Sequence, residues 1–189
     1  IRLLMGLAIT VALVPGLPPL PVVNPATWQG LWIVVQQMLI GIGMGFTLRM
    51  LYSAVDLAGE YIGAQMGLSF ATFYDPVNAS QTPVLSEFIS LLGLLIFLSM
   101  NGHLMFVAAL DQSFHTLPIG VGAPSANHWL DLIKQGSAMF ATALFLALPI
   151  IVALLITNIA LAVLTKAAPQ LNLFSLGFPI TLGGGFIVI

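Results

Sequence analysis

The sequence predicts an all-α, membrane-type protein built from kinked helical hairpins. Three observations carry that reading. Hydrophobic residues make up 59% of the 189 residues and charged residues only 5%, against roughly 25% charged in a soluble domain. The apolar residues fall in long runs separated by proline clusters. In an apolar surrounding, each backbone N–H and C=O must be satisfied within the protein, and a helix does this inside a single segment. A mean hydropathy of +1.09 fits an integral membrane protein or the apolar core of a larger complex.

Each element follows from its residues. Residues 2–14 are apolar and read as a helix. Pro15, Pro18, Pro19, Pro21 and Pro25 then hold the chain extended, because proline removes a donor and restricts the residue before it. Thr27 is the expected N-cap of the next helix. No proline stands between Pro25 and Pro76. A helix running unbroken over residues 28–65 would be about 57 Å long at about 1.5 Å per residue. That exceeds a hydrocarbon core of roughly 30 Å, so the helix either kinks or extends beyond the membrane.

Pro83 suits the first turn of a third segment, and Glu87 places a negative charge near its start. Residues 88–100 are mostly apolar, Asn101-Gly102-His103 interrupts them, and 104–110 resumes. Residues 111–126 are more polar and carry Pro118, Gly120, Gly122 and Pro124; they read as a loop. An amphipathic stretch, 128–135, precedes the longest apolar run, 138–164. Pro149 near its middle leaves two forms open, one kinked helix or two helices that meet there. Lys166 and Pro169 end the run. The last segment, 171–189, contains Pro179 and Gly183-Gly184-Gly185, a run expected to act as a hinge. It has no Lys or Ser/Thr at phosphate-loop spacing. The chain starts at Ile1 and ends inside an apolar run, and is expected to be a piece of a longer protein, cut at both ends.

Composition removes several function classes. A net charge of −2 leaves no basic footprint for nucleic acid. The absence of cysteine excludes disulfides, thiol chemistry and Cys-ligated metals. His103, His115 and His128 are far apart in sequence; His115 lies four after Asp111, and His128 three before Asp131. Single pairs of this kind fall short of a metal site and read as local loop contacts. No nucleophile–base pair or protease motif is visible.

The connector at 65–76 stands out. It holds Phe70, Phe73 and Tyr74 with Met66 and Leu68, a single charge at Asp75, and Ser69 and Thr72 between them. A linker between membrane helices is normally polar. An aromatic one is expected to be hidden from water, either buried in protein or lining a constriction. It is the candidate gate. Glycines are the second candidate feature. Gly41 and Gly45 form one small-xxx-small pair, and Gly59, Gly63 and Gly67 a tandem set at four-residue spacing. Such residues share a helix face and let another backbone approach. These five are the expected helix-packing residues, with a partner subunit as the expected neighbour of the tandem set. Asp56 and Glu60, one turn apart, with Arg49 a heptad before Asp56, form either a proton-conducting stripe or a wetted surface or subunit contact; their position favours the second. Gln36, Gln37 and Asn158 read as buried polar groups that hold helices together.

Four stretches then carry a resemblance. They are Gln36-Gln37-Met38-Leu39-Ile40-Gly41-Ile42-Gly43, the run from Ala58-Gly59-Glu60 to Pro76, Asn101-Gly102-His103 with Phe114-His115-Thr116-Leu117-Pro118-Ile119-Gly120, and Ala168-Pro169-Gln170-Leu171 with Gly177-Phe178-Pro179. In this order they resemble the FliR family of flagellar type III export-gate subunits over nearly the whole chain. The central run is the most specific. Injectisome counterparts are similar in fold, but these motifs look more flagellar. Members of the family are longer at both ends.

The resemblance implies one export-gate domain over residues 1–189, with a FliP-like part joined to a FliQ-like part. It implies kinked hairpins in an assembly that sits largely above the membrane plane, which would account for the overlong second helix. FliP and FliQ are the implied partners, with FlhB and FlhA beyond them, and unfolded flagellar proteins are the implied cargo. The implied place is the bacterial inner membrane at the flagellar basal body. No cofactor, metal or catalytic residue is implied, and the chain is not expected to be an enzyme. The family's apolar plug loop falls on residues 67–75. With the residue before it, the plug set is Met66, Gly67, Leu68, Ser69, Phe70, Ala71, Thr72 and Phe73, of which Phe70 and Phe73 are the obstructing side chains. Tyr74 occupies a position that need not be aromatic in the family.

Two other classes stand beside the gate. A small-solute secondary transporter would place its site where Pro and Gly break helices, near Pro149 or Gly183, but no inverted repeat is visible. An intramembrane enzyme lacks a coherent catalytic set. The gate and transporter readings separate on one measurement. An isolated gate subunit is expected to behave poorly in mild detergent, since unsatisfied polar groups in an apolar medium cost several kcal/mol each. Size-exclusion chromatography checks this, and a stable, monodisperse monomer would favour the transporter.

Overall fold

A computed structural model describes residues 1–19, 21–24, 26–68, 84–120, 126–168 and 177–189. Among these residues the regular structure is helical, with no strand, as the sequence predicts. The helices are α1 (Arg2–Leu13), a short 3-10 turn (Val14–Gly16), α2 (Trp28–Gln65), α3 (Val84–Ser99), α4 (Gly102–Thr116), α5 (Ala126–Ala167) and α6 (Phe178–Val188). By length and composition α2 and α5 suffice to cross a membrane, and the bent pair α3–α4 would make a third span if it counts as one.

The expected signals set the helix ends. Thr27 caps α2: its Oγ1 accepts from the Gly30 N–H at 3.2 Å, which satisfies one of the orphan donors of the first turn. With no proline inside it, α2 is one unbroken helix of 38 residues. Of the two forms left open at Pro149, α5 takes the single helix: its 42 residues continue through the proline without a break. α3 and α4 meet at a 67° bend. There Asn101 takes the left-handed conformation (φ 56°), which asparagine tolerates better than most residues. A Cβ on Gly102 would collide with the Phe97 ring, so only glycine fits beneath it.

Two expectations are corrected. The polar stretch expected to be loop from residue 111 stays helical to Thr116. No Gly or Pro interrupts it before Pro118, and the Ser113 and Thr116 hydroxyls bond back to carbonyls in the preceding turn. Polarity alone does not end a helix. The triple glycine expected to be a hinge lies inside α6. Pro179 in the first turn starts this helix, and the glycines are held within its ladder.

The chain divides into two compact units. The first comprises Ile1–Leu48 and Ile96–Lys134. In it Gly43 of α2 faces Leu132, and Gly120, at φ +88°, turns against Pro21 and Ile33. α1 has no buried residue.

The second unit comprises Arg49–Leu95 and Gln135–Ile189 and holds the best-packed core. Ala54, Ala58, Ile62 and Met66 recur every four residues along one face of α2 and are buried. Ala143, Ala147, Leu154 and Leu161, spaced four, seven and seven residues apart, line one face of α5 and are buried. Ala58, Ile62, Met66, Leu85, Ala147 and Leu154 form one cluster, covered by Tyr61, Leu68, Ile89 and Leu182 among others. α2 and α3 run antiparallel in this unit: Val55 lies against Gly93, Gly59 against Ser86 and Gly63 against Leu85. This is a helical hairpin, and residues 66–83 are its connection. Outside the core many large apolar side chains are exposed, among them Leu39, Ile42, Phe46, Leu95, Phe145 and Ile156.

Leu154→Ala is expected to destabilise the protein by about 2–5 kcal/mol through the cavity it leaves. Leu155→Ala, at a half-exposed neighbour, should cost far less. Thermal unfolding of the membrane-extracted protein checks the difference.

Candidate functional site at the end of α2

The connector begins on a built structure. α2 ends with two backbone bonds, Leu68 N–H to Gly63 O at 3.0 Å and Gly67 N–H to Ala64 O at 3.1 Å. Gly67 has φ 84°. This pair of bonds with a left-handed glycine is a Schellman cap. It satisfies two carbonyls that water cannot reach in an apolar setting. The penalty a side chain meets in the left-handed region explains the glycine.

Met66, just before that glycine, is fully buried. Its side chain fills the space at Gly185 of α6, where an added Cβ would lie 2.5 Å from Cε and 2.6 Å from Sδ. The Thr181 hydroxyl lies 3.5 Å from the Met66 carbonyl. It has nearer acceptors in its own helix, Gly177 O at 3.0 Å and Phe178 O at 3.1 Å. A hydroxyl has one proton, so the nearer carbonyls hold it, and the Met66–Gly185 contact is the stronger tie.

The other end of the connection is fixed on the same core. A Cβ on Gly59 would lie 2.5 Å from the Ser86 Cα, so the α2 and α3 backbones meet there. Ser86 Oγ donates to the Asp56 carbonyl at 2.7 Å, and Ser90 Oγ donates to the Asp56 carboxylate. Leu85 is buried in the cluster that holds Met66. Residues on both flanks of 69–83 are thus anchored in one place.

The sequence-predicted residues distribute unevenly. Met66, Gly67 and Leu68 form the cap just described. Ser69, Phe70, Ala71, Thr72 and Phe73 lie outside the described residues. Gly59 sits at the α2–α3 contact, and Gly63 makes ordinary contact with Leu85 at 3.7 Å. Among the described residues nothing lies within 4 Å of a Cβ at Gly41 or Gly45. Asp56 and Glu60 are exposed. The buried Nε2 of Gln37 has no hydrogen-bond partner among the described residues. Asp131 pairs with Lys134 at 3.0 Å, both well exposed, where such a pair contributes little. Among the described residues no group of three or more His, Asp or Glu is placed to hold a metal. The arrangement is mechanical: a rigid apolar base from which a connector leaves and to which it returns.

Sequence reasoning missed Gly185 and Ser86. Three glycines in an otherwise apolar helix were a visible signal for the first. Nothing local marked Ser86, whose position depends on Gly59 some 27 residues away in sequence.

Gly59→Ala is expected to lower recovery of the folded protein, because its methyl meets backbone rather than a flexible side-chain tip; overpacking of this kind costs about 1–3 kcal/mol. Gly41→Ala should be tolerated. Comparing the yield of membrane-inserted, protease-resistant protein for the two variants checks this.

Comparison with known proteins bears on what the base serves. The family described as bacterial export proteins, family 1, matches residues 1–189. The flagellar biosynthetic protein FliR of Escherichia coli (strain K12) is 49% identical over 188 residues, covering 97% of this chain and 71% of that protein. The FliR of Pectobacterium carotovorum subsp. carotovorum is 40% identical over 191 residues, covering 100% of this chain and 72% of its own. That of Aquifex aeolicus (strain VF5) is 31% identical over 192 residues, with 100% and 73% covered. With a whole-chain family match and relatives this similar, the chain belongs to the bacterial export proteins, family 1, and among them to the FliR proteins of the flagellar export apparatus.

Proposed function

We propose that this chain is a non-enzymatic core subunit of the flagellar type III export gate. It assembles with FliP and FliQ, and beyond them with FlhB and FlhA, to form the path taken by unfolded flagellar proteins. The assembly belongs in the bacterial inner membrane at the flagellar basal body. Residues 66–73 are the apolar plug, with Phe70 and Phe73 filling the lumen at rest. An apolar constriction of this kind can exclude ions by dewetting. Arrival of cargo displaces it. Asp75 stays at the polar rim, because a charge inside a dry constriction is costly.

The observation that supports this reading best is the shared anchorage of Met66 and Leu85 in one buried cluster. A plug that yields to cargo and returns needs fixed ends. The connector's aromatic composition and the extent of uncovered apolar surface support a seal within a larger assembly. A secondary transporter remains the second reading, resting on Pro149 within α5. Solute uptake by the isolated chain would favour it.

The Phe70→Ala/Phe73→Ala double variant removes bulk without adding charge. Cells carrying it in the intact complex are expected to leak ions or small solutes, while FliP- and FliQ-like chains still co-purify. Conductance or solute-sensitivity measurements check this. Normal assembly with no leak would mean that another layer makes the seal.

A further inference from the structure

We propose that Gly185 is a positioning residue for the gate: the space it leaves on α6 seats Met66 and so sets the direction in which the chain departs from α2. The inference rests on the gate reading above, but its first readout does not.

The run Gly183-Gly184-Gly185 is costly, since each glycine in a helix interior loses about 1 kcal/mol relative to alanine. Among the described residues, two of the three have nothing within 4 Å of an added Cβ. Only Gly185 has a close neighbour, and that neighbour is Met66, with Cγ at 2.7 Å as well as Sδ and Cε. Met66 is the last residue before the left-handed Gly67, and Leu68 after it bonds back to Gly63. The backbone at 66–68 is therefore fixed internally by the cap and externally by the Met66 seat.

The two close glycine contacts of this unit differ in kind. At Gly59 an added methyl meets the Ser86 backbone, so helices must separate. At Gly185 it meets a thioether chain, which is flexible and adapts its rotamer. Gly185→Ala thus displaces the Met66 side chain while leaving α6 in place, and alanine is itself the better helix former. Any functional consequence must pass through Met66.

The test uses the complex in native membranes. The chain has no cysteine, so Leu68→Cys introduces its only thiol, at a partly buried position packed on the core. In that background Gly185→Ala is expected to raise the maleimide labelling rate of this chain several-fold. With Leu68 restored, Gly185→Ala should raise ion leak with undiminished recovery of the complex. Adding Met66→Ala makes room for the methyl and should return both readouts toward their starting values. Gly183→Ala and Gly184→Ala should change neither.

Unchanged labelling in Gly185→Ala, or an equal change in Gly183→Ala, overturns the proposal. Changed labelling without leak overturns its gating part if the Phe70→Ala/Phe73→Ala variant does leak. If neither leaks, the plug reading on which the gating part rests fails, because another layer then makes the seal. Should Gly185→Ala not assemble, Met66→Ala carries the test: labelling should rise with it and fall back when the methyl at 185 refills the space, and no rise overturns the proposal.

Discussion

Helices surrounded by lipid or by other apolar helices gain little from burying leucine, since a lipid tail is as apolar as leucine. Close packing and satisfied polar groups must hold them instead. The second unit is organised around that constraint. The buried face of α2 is made of Ala54, Ala58 and Gly59 with Ile62 and Met66, and the buried face of α5 begins with Ala143 and Ala147. Small residues bring the backbones near enough for many weak contacts to add up. Gly59 against Ser86 is the closest of these approaches, and the hydroxyls of Ser86 and Ser90 join it to Asp56.

The same constraint governs the end of α2. A helix terminus leaves carbonyls without partners, and in an apolar setting water does not supply them. The cap at Gly63, Ala64, Gly67 and Leu68 satisfies two of them within the backbone. A terminus closed in this way is rigid without needing solvent. It gives the connector a defined starting point, and the burial of Met66 and Leu85 in one cluster gives it a defined return.

Much of the molecule is left uncovered. α1 buries nothing, and the apolar faces of α2 and α5 carry exposed leucine, isoleucine and phenylalanine along their length. An exposed apolar surface of this extent marks membrane or protein contact. Membership in an export family whose relatives are flagellar biosynthetic proteins accords with a chain made to be surrounded. The buried amide nitrogen of Gln37, with no acceptor among the described residues, fits the same picture.

Helix content and most boundaries were legible in the sequence because they rest on local chemistry. Proline cannot continue the ladder, so the break at residues 15–25 and the continuity of α2 could be read directly. Thr27 could be read as a cap because its hydroxyl serves its own first turn. The polar tail of α4 and the glycines of α6 were misread because composition was taken for conformation. Whether a stretch is helical depends on what ends it and what packs on it. The connector was legible as unusual, since aromatic residues rarely join membrane helices. What only the tertiary structure decided is which glycine matters and to whom. Gly41, Gly45, Gly59, Gly183 and Gly185 look alike in sequence, but an empty space acquires meaning only from what fills it. At Gly59 that is the backbone of Ser86, at Gly185 the side chain of Met66, and at the other three nothing among the described residues.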